Sequence, residues 1–292
     1  MKKLLSAILI VSFLSNCDKI EPPYISGEVN PVDTTSIKRN ILIEDFTGHT
    51  CPNCPDAAAE LESIHAIYGD QIIGIALHVG NSFARPYPSS SGKFQYDFRT
   101  KWGEEINSFF SIEASGLPNG MVNRIDYPES HKKGKEEWNT EVQDILNSDP
   151  KFSIEINASS SSVNTTIEVL ESIQGNYNLI VCLTESDIVN WQKDGGIEIE
   201  DYTHNHVLRS MLNGTWGEPL KSSIDYTEGE EITKSIAFNL SELEQFNINH
   251  SENNLFQGNG NSGGWNLDNI HVIAYIYDVS SYEIMQVEEI GL

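Results

Sequence analysis

Two cysteines separated by two residues form the most reactive pattern in the chain. Residues 41–55 contain an apolar run, a turn at Gly48 and then Cys51 and Cys54, after which apolar residues recur at helical spacing. This order predicts a strand, a turn and a helix that begins near the cysteines. A thiol at a helix N-terminus is more acidic than usual, because unpaired backbone N–H groups and the helix dipole stabilise the thiolate.

The spacing of Cys51 and Cys54 is compatible with three kinds of chemistry. In thiol-disulfide exchange, Cys51 would attack a substrate and Cys54 would resolve the mixed disulfide. The pair could instead form an inert disulfide, or supply half of a zinc site. Zinc is the weakest of the three, because it needs about four ligands and the sequence has no second Cys-x-x-Cys or His-x-x-x-His. Redox chemistry is the leading hypothesis.

The sequence around these cysteines resembles the thioredoxin superfamily. The similar segments are Asp45-Phe46, Cys51-Pro52-Asn53-Cys54 and Gly116-Leu117-Pro118. The resemblance implies that Asp45 is a buried acid below the disulfide, which accepts or relays the resolving proton. It also implies a cis peptide bond before Pro118, the only residue type at which cis bonds are common. Leu117 and Pro118 would align an extended substrate through backbone contacts.

The sequence departs from the thioredoxin pattern at several positions. Thr50 stands where thioredoxin has tryptophan, and Pro55 lacks the N–H that the first helical turn might use. Residues 80–96 are rich in glycine, proline and serine, and are expected to form an inserted lid or substrate groove. His49 could hold the thiolate if it were protonated, but a solvated turn residue is the favoured interpretation.

Composition excludes some classes of partner. The chain has 292 residues and a formal net charge of −25. Nucleic-acid binding needs clustered lysine and arginine, so this balance argues against it and against docking onto anionic lipid by charge. Nothing in the sequence indicates a nucleotide, flavin or haem cofactor. Cys182 lies in an apolar run and is expected to be a buried small side chain.

The N-terminus has the features of an exported, lipidated protein. Lys2 and Lys3 precede an apolar core that is too short to span a bilayer as a mature helix. The segment ends in Leu14-Ser15-Asn16-Cys17, which resembles a bacterial lipobox with Cys17 as the acylated residue. Residues 1–16 are therefore expected to be a signal peptide, and residues 17–40 a lipidated N-terminus and tether. Simple secretion is the alternative.

Two domains are predicted after the tether. Residues 41–149 are expected to form an α/β thioredoxin-like domain, with a buried strand at 72–79 and helices at 94–113 and 135–147. Residues 150–292 show short strands with little helix, which predicts an all-β sandwich-like domain. His204 and His206 fall on one face of a predicted strand and could share a metal, but the sequence shows no third ligand. A hydrogen-bonded polar face is therefore favoured over a metal site.

The whole arrangement is similar to the twenty-eight-kilodalton outer-membrane lipoprotein family of Gram-negative bacteria. The matching segments are residues 45–55, residues 202–209 and Asn213-Gly214-Thr215-Trp216-Gly217. This resemblance implies an outer-membrane location but leaves the reaction, the oligomeric state and the face of the membrane open.

Two functions follow from these observations. The first is thiol-disulfide exchange with protein thiols or disulfides, on a lipid-anchored protein. The second is a non-enzymatic surface binding or assembly module with a structural disulfide. An exposed Cys51 sulfur beside Pro118 would favour the first, and a buried disulfide shielded by residues 80–96 would favour the second.

Overall fold

The computed structural model describes residues 37–292, which contain four α-helices and fifteen strands. The helices are α1 (Cys54–Tyr68), α2 (Lys101–Phe110), α3 (Lys135–Leu146) and α4 (Leu240–Asn254). The strands are β1 (Ile41–Thr47), β2 (Ile72–His78), β3 (Asn119–Val122), β4 (Phe152–Ser159), β5 (Ser162–Val169), β6 (Ile173–Gln174), β7 (Tyr177–Glu185), β8 (Ile188–Asp194), β9 (Ile197–His204), β10 (Val207–Met211), β11 (Glu218–Pro219), β12 (Asp225–Tyr226), β13 (Glu231–Ala237), β14 (Ile270–Asp278) and β15 (Ile284–Gly291). The predicted signal peptide, the lipidation site Cys17 and most of the tether lie outside the described residues. No helix within residues 37–292 is long and apolar enough to cross a membrane.

A mixed eight-stranded sheet forms the centre of the fold. Its order is β15-β14-β7-β10-β2-β1-β3, and β11 also pairs with β7. The strand β1 runs parallel to β2 and antiparallel to β3. Every residue of β1 and β2 is buried, as expected for strands covered on both faces. Because side chains alternate along a strand, Asp45 lies on the same face of β1 as Ile41 and Ile43, which pack against α1.

The two halves of the chain share this sheet. The strand β10 pairs with β7 on one side and with β2 on the other, where Val207 is the partner of Ala76. Residues 37–292 form one compact unit. The predicted boundary at residues 149 and 150 thus lies between elements of a common structure.

A smaller sheet covers one face of the second half. Its three antiparallel strands have the order β13-β5-β4, and their inward side chains pack against β7 and β14. The core between the sheets includes Phe152, Ile167, Val181, Val272 and Ile276. The larger sheet on which these strands pack continues into the first half, so the second half is not a separate all-β unit. The expectation of little helix was wrong for residues 240–254, which form α4.

Helix α2 is shorter than the sequence predicts. The expected helix covers residues 94–113, but the observed one begins at Lys101, and residues 94–100 are not helical. Thr100 has an extended backbone and its side chain accepts a hydrogen bond from the Gly103 N–H, which caps the helix there. The aromatic residues before Lys101 are therefore free to pack around the cysteine loop.

The last strand holds the beginning of the described chain. The Arg39 guanidinium donates to the Ile284 carbonyl at 2.7 Å. The Asn40 N–H donates to the Gln286 side chain at 2.9 Å, and the Gln286 amide donates to the Lys38 carbonyl at the same distance. Residues 38–40 are thus fixed against β15 immediately before β1 begins.

A buried ion pair joins β1 to the turn after β3. Arg124 makes two hydrogen bonds to the Glu44 carboxylate, at 2.8 and 2.6 Å, and both side chains are almost completely buried. The guanidinium also donates to the Tyr275 hydroxyl at 3.1 Å, so the pair reaches a strand of the second half. Its bidentate geometry satisfies both carboxylate oxygens.

Removing one partner of this pair will destabilise the protein strongly. Glu44→Gln leaves the Arg124 charge buried without a counter-charge, which is expected to lower the free energy of unfolding by about 3–5 kcal/mol. Urea denaturation measures the change. Glu171→Gln, at the exposed ion pair with Lys151, is the matched control and should cost less than about 1 kcal/mol. A loss from Glu44→Gln no larger than this control would contradict a stabilising role for the buried pair.

Candidate functional site

The predicted disulfide is present at the start of α1. Cys51 and Cys54 are bonded, with their Cα atoms 5.5 Å apart, and Cys54 is the first residue of the helix. Pro55 occupies the first turn, where a missing N–H is tolerated because that group has no partner within the helix. Cys182, the third cysteine within residues 37–292, is fully buried in the sheet, as predicted, and burial raises the pKa of its thiol.

Both cysteines are shielded from solvent. Cys51 exposes 1% of its surface and Cys54 exposes 2%. Part of the cover is the predicted insertion: the Phe83 carbonyl accepts hydrogen bonds from the Thr50 N–H at 3.0 Å and from its hydroxyl at 2.9 Å. A Cβ at Gly48 would lie 2.6 Å from the Phe83 carbonyl carbon, so this close approach requires glycine.

The hairpin of β8 and β9 supplies the rest of the cover, and the sequence analysis did not predict it. The Gln192 side-chain amide donates to the Cys51 carbonyl at 3.1 Å. Two backbone bonds flank this contact, since the Lys193 N–H donates to His49 and the Gly195 N–H donates to Pro52, both at 2.8 Å. Backbone groups of the cysteine loop are thus paired with another part of the same chain.

His49 is not a solvated turn residue, contrary to the sequence-based interpretation. It is 1% exposed, its Nε2 lies 3.1 Å from the Arg85 carbonyl oxygen, and its ring stacks on Phe94 at 5.7 Å between centroids. Burial lowers its pKa to about 4, aided by the charge of Arg99 and opposed by the Arg85 hydrogen bond. A histidine that is neutral near pH 7 provides no positive charge to hold a thiolate.

The peptide bond between Leu117 and Pro118 is cis, as predicted. Pro118 precedes β3 and is partly exposed. It lines a small cavity of about 340 Å³ together with Asn53 of the cysteine loop. Pro118 and the cysteine loop are therefore neighbours, while Leu117 packs against the main core.

A second pocket also adjoins the disulfide, with Cys54 in its lining. It has a volume of about 400 Å³ and is bounded by the first turns of α1, the ends of β1 and β2, and the end of β9. Its lining includes Asp45, Cys54, His78, His204 and His206. The pocket therefore brings the predicted acid Asp45 and the cysteine Cys54 together with His78 of β2 and His204 of β9.

His204 and His206 do not share a face as the sequence suggested. The strand β9 ends at His204, and His206 has a positive φ of 56°, which turns the chain into β10. His206 points to Glu62, with Nε2 and Oε1 3.5 Å apart, whereas the His204 ring lies 5.6 Å from the His78 ring. Within residues 37–292 no group of three potential ligands is arranged to hold a metal ion.

Three buried side chains in this pocket carry polar atoms without hydrogen-bond partners. They are Asp45 Oδ1, His204 Nε2 and both ring nitrogens of His78. Burial raises the pKa of Asp45 to about 7. Burial also lowers the pKa of His204 to about 3, and holds that of His78 well below its ordinary value. The imidazoles are thus neutral near pH 7, while the carboxyl group is near its midpoint.

The comparisons with known proteins identify the family. Residues 107–291 match the family model described as outer membrane protein Omp28. The chain belongs to the Omp28 family. Its location is the outer membrane. The matched range includes Pro118 and His204 but not Asp45, Cys51 or Cys54. No curated protein matches the chain.

Three solved structures are similar to this Omp28-family chain. HBP35 of Porphyromonas gingivalis is similar over 88% of this chain and 76% of its own, with 15% identity and a TM-score of 0.59. Protein AGR_C_4864 from Agrobacterium tumefaciens has 11% identity and a TM-score of 0.49, over 87% of this chain and 95% of its own. A domain of the outer membrane lipoprotein Omp28 from Porphyromonas gingivalis has 19% identity and a TM-score of 0.26, over 49% of this chain and 88% of its own.

The sequence signals for the missed residues were weak. His78 ends the apolar run of β2, where the neighbouring residues indicate only a buried strand. Gln192 lies in a polar segment with no motif. What makes both residues part of the site is contact with the cysteine loop or with β9, and neither contact has a local signature.

The raised pKa of Asp45 predicts how stability depends on pH. The unfolded-state pKa is about 4, and the folded-state pKa is about 7. Between these values the folded state binds more protons than the unfolded state, so this carboxyl makes stability fall as pH rises. The histidines have lowered pKa values and act in the opposite direction, with His49 doing so between about 4 and 6.5.

Asp45→Asn isolates the carboxyl contribution, because the histidines are the same in both proteins. The variant should match the wild type near pH 4 and become progressively more stable than it up to pH 7. At about 1.4 kcal/mol per pH unit, the difference should reach about 4 kcal/mol and then level off. Urea denaturation at pH 4.5, 6 and 8 measures it. A difference that does not change with pH would contradict the perturbed state of Asp45.

Proposed function

We propose that this outer membrane protein is a non-enzymatic binding module in which the Cys51–Cys54 disulfide is structural. The observation that carries the proposal is the cover over Cys51. Thiol-disulfide exchange requires a thiolate to reach a sulfur atom of the bond, and this sulfur lies beneath the Phe83 loop and the β8–β9 hairpin. The pocket beside the disulfide, in contrast, holds buried polar groups that lack protein partners.

The disulfide has a modest but useful structural role in this proposal. It closes a loop of only a few residues, for which the chain-entropy model gives about 2 kcal/mol of stabilisation. The closed loop presents the carbonyl groups of His49, Cys51 and Pro52 to the hairpin. The disulfide would therefore fix the cysteine loop, to which the β8–β9 hairpin is hydrogen-bonded. The end of this hairpin forms one wall of the pocket.

Thiol-disulfide exchange is the second candidate, and two observations favour it. Asp45 is buried and lines the same pocket as Cys54, with a raised pKa, and Pro118 lines a cavity together with Asn53 of the cysteine loop. In such a reaction a substrate thiolate would attack Cys51 Sγ and break the disulfide. The departing Cys54 thiolate would then take a proton from Asp45. This reaction would require the β8–β9 hairpin to move away from the cysteine loop.

Membrane attachment through lipid on Cys17 also belongs to this proposal. The lipobox-like segment before Cys17 supports it, together with the family's location in the outer membrane. The tether would then connect the anchor to residue 37, where the described structure begins.

The reduction potential separates the two candidate functions. It is measured on the purified Cys182→Ala protein in glutathione or dithiothreitol buffers. Alkylation is followed by mass spectrometry of the peptide that contains Cys51 and Cys54, so that Cys17 does not contribute to the signal. A structural disulfide is expected to have a potential below about −300 mV. A value between about −270 and −120 mV, the range of working exchange proteins, would overturn the structural assignment.

The hairpin cover predicts how fast a reductant reaches the disulfide. Gln192→Ala removes the hydrogen bond to the Cys51 carbonyl, which is worth about 1 kcal/mol. The rate of reduction by dithiothreitol should therefore rise about fivefold. Gln245→Ala, at an exposed position of α4 with its own side-chain hydrogen bond, is the matched control and should leave the rate unchanged. Equal rates for both variants would mean that the hairpin is not the barrier.

A further inference from the structure

The pocket between α1 and β9 has the size of a small-molecule site. Its volume of about 400 Å³ falls within the range of about 300–1,000 Å³ that ligand cavities usually have. Part of the wall is apolar and comes from Pro55, Ala58, Leu61 and Ala76. An inference about its occupant rests on the proposed function, in which the molecule binds a ligand rather than exchanging thiols.

The unpartnered atoms of the pocket define what an occupant must supply. A buried polar group without a partner costs about 1–3 kcal/mol, and native proteins contain few such groups. Here Asp45, His78 and His204 all line one cavity, and their side chains together carry four atoms without a hydrogen-bond partner. Their exposed fractions are only 2%, 4% and 5%. Their convergence points to a hydrogen-bonding ligand.

The protonation state of the histidines decides which hydrogen bonds they can make. Both imidazoles are neutral near pH 7, because burial lowers the pKa values of His78 and His204. A neutral imidazole offers one N–H and one lone pair. The occupant must therefore be able both to donate hydrogen bonds to these rings and to accept hydrogen bonds from them.

Charge argues against an ionic occupant. Two acidic residues, Asp45 and Glu62, line the pocket. Among residues 37–292, no lysine and no arginine lines it. A ligand anion would therefore meet carboxylates without a compensating cation. An ammonium group can only donate, so it would leave the His78 N–H unpaired. A hydroxyl group both donates and accepts, which satisfies both imidazoles.

We propose that this pocket binds an uncharged, hydroxyl-rich small molecule of monosaccharide size, held by hydrogen bonds to His78 and His204. Asp45 also lines the pocket and provides a further hydrogen-bonding position. The apolar wall from α1 contacts the carbon skeleton of the ligand. Glu62 and His206 lie at the rim, where Glu62 is half-exposed.

Matched ring compounds test the charge and the class of the ligand together. The probes are D-glucose, D-galactose, N-acetylglucosamine and myo-inositol as neutral compounds, glucosamine as the cation, glucuronate as the anion, and Zn²⁺ as a metal. Binding to the purified protein is measured by saturation-transfer-difference NMR and calorimetry, in a zwitterionic detergent because sugar detergents would compete. At least one neutral compound should bind about tenfold more tightly than its charged analogues.

Two results would overturn the proposal. Tighter binding of glucosamine or Zn²⁺ would make this a cation site and overturn the proposal. Failure of every neutral probe would also overturn it and assign the unpartnered atoms to water.

Variants then assign the binding to the pocket. His78→Leu removes only ring nitrogens that have no protein partner and keeps an apolar contact with Phe98, so stability should be maintained or raised. The same change should weaken binding of the neutral probe about tenfold or more. The control His131→Leu removes a buried histidine outside the pocket, whose Nε2 lies 3.1 Å from the Phe110 carbonyl oxygen. It should lower stability and leave binding unchanged.

This experiment is independent of the redox measurement. Neutral-probe binding by a protein with a potential in the exchange range would leave the pocket assignment standing and overturn the structural role of the disulfide. A low potential without any neutral-probe binding would do the reverse. Equal binding by wild type and His78→Leu would show that the ligand lies elsewhere.

Discussion

The placement of β10 beside β2 is the constraint on which the site depends. The Ala76 N–H donates to the His206 carbonyl at 2.8 Å, and Val207 pairs with Ala76 in the sheet. Only Asn205 and His206 separate β9 from β10, so this pairing fixes where β9 ends. The hairpin of β8 and β9 is thereby brought over the cysteine loop. Without that pairing, the disulfide would lose the cover that the hairpin supplies, and the pocket would lose the wall formed by the end of β9.

The two faces of β1 each carry a buried acidic residue, and the two residues differ in their hydrogen-bond partners. On one face, Glu44 is paired with Arg124 through two hydrogen bonds, and its charge is compensated. On the other face, one residue later, Asp45 has an oxygen without a partner and a raised pKa. The first arrangement is that of a structural ion pair, whereas a buried acid with a raised pKa is typical of a functional site. A Cys-x-x-Cys motif next to such an acid is not by itself reactive, because the cover over Cys51 decides access.

The sequence predicted the features that depend on neighbouring residues. The strand β1 and the cysteines at the start of α1 follow from patterns within a few residues, whereas the buried position of Asp45 and the cis bond before Pro118 follow from the resemblance to thioredoxins. The hairpin cover joins Gln192 to Cys51 across 141 positions, and no local pattern encodes a contact of that separation. The helix α4 was missed because its sequence is largely polar with four asparagines among its fifteen residues, although Asn239 is a suitable N-cap for it.

The contact of residues 38–40 with β15 has a mechanical consequence. Force applied along the chain toward residue 37 acts first on the hydrogen bonds of Arg39 and Asn40 with the last strand. It then reaches β1, which is hydrogen-bonded on both edges, to β2 and to β3. A strand pulled along its own axis must break many such bonds together, so β1 resists tension as a unit. Tension applied at this end would therefore leave the cysteine loop and the pocket intact until β1 itself gives way.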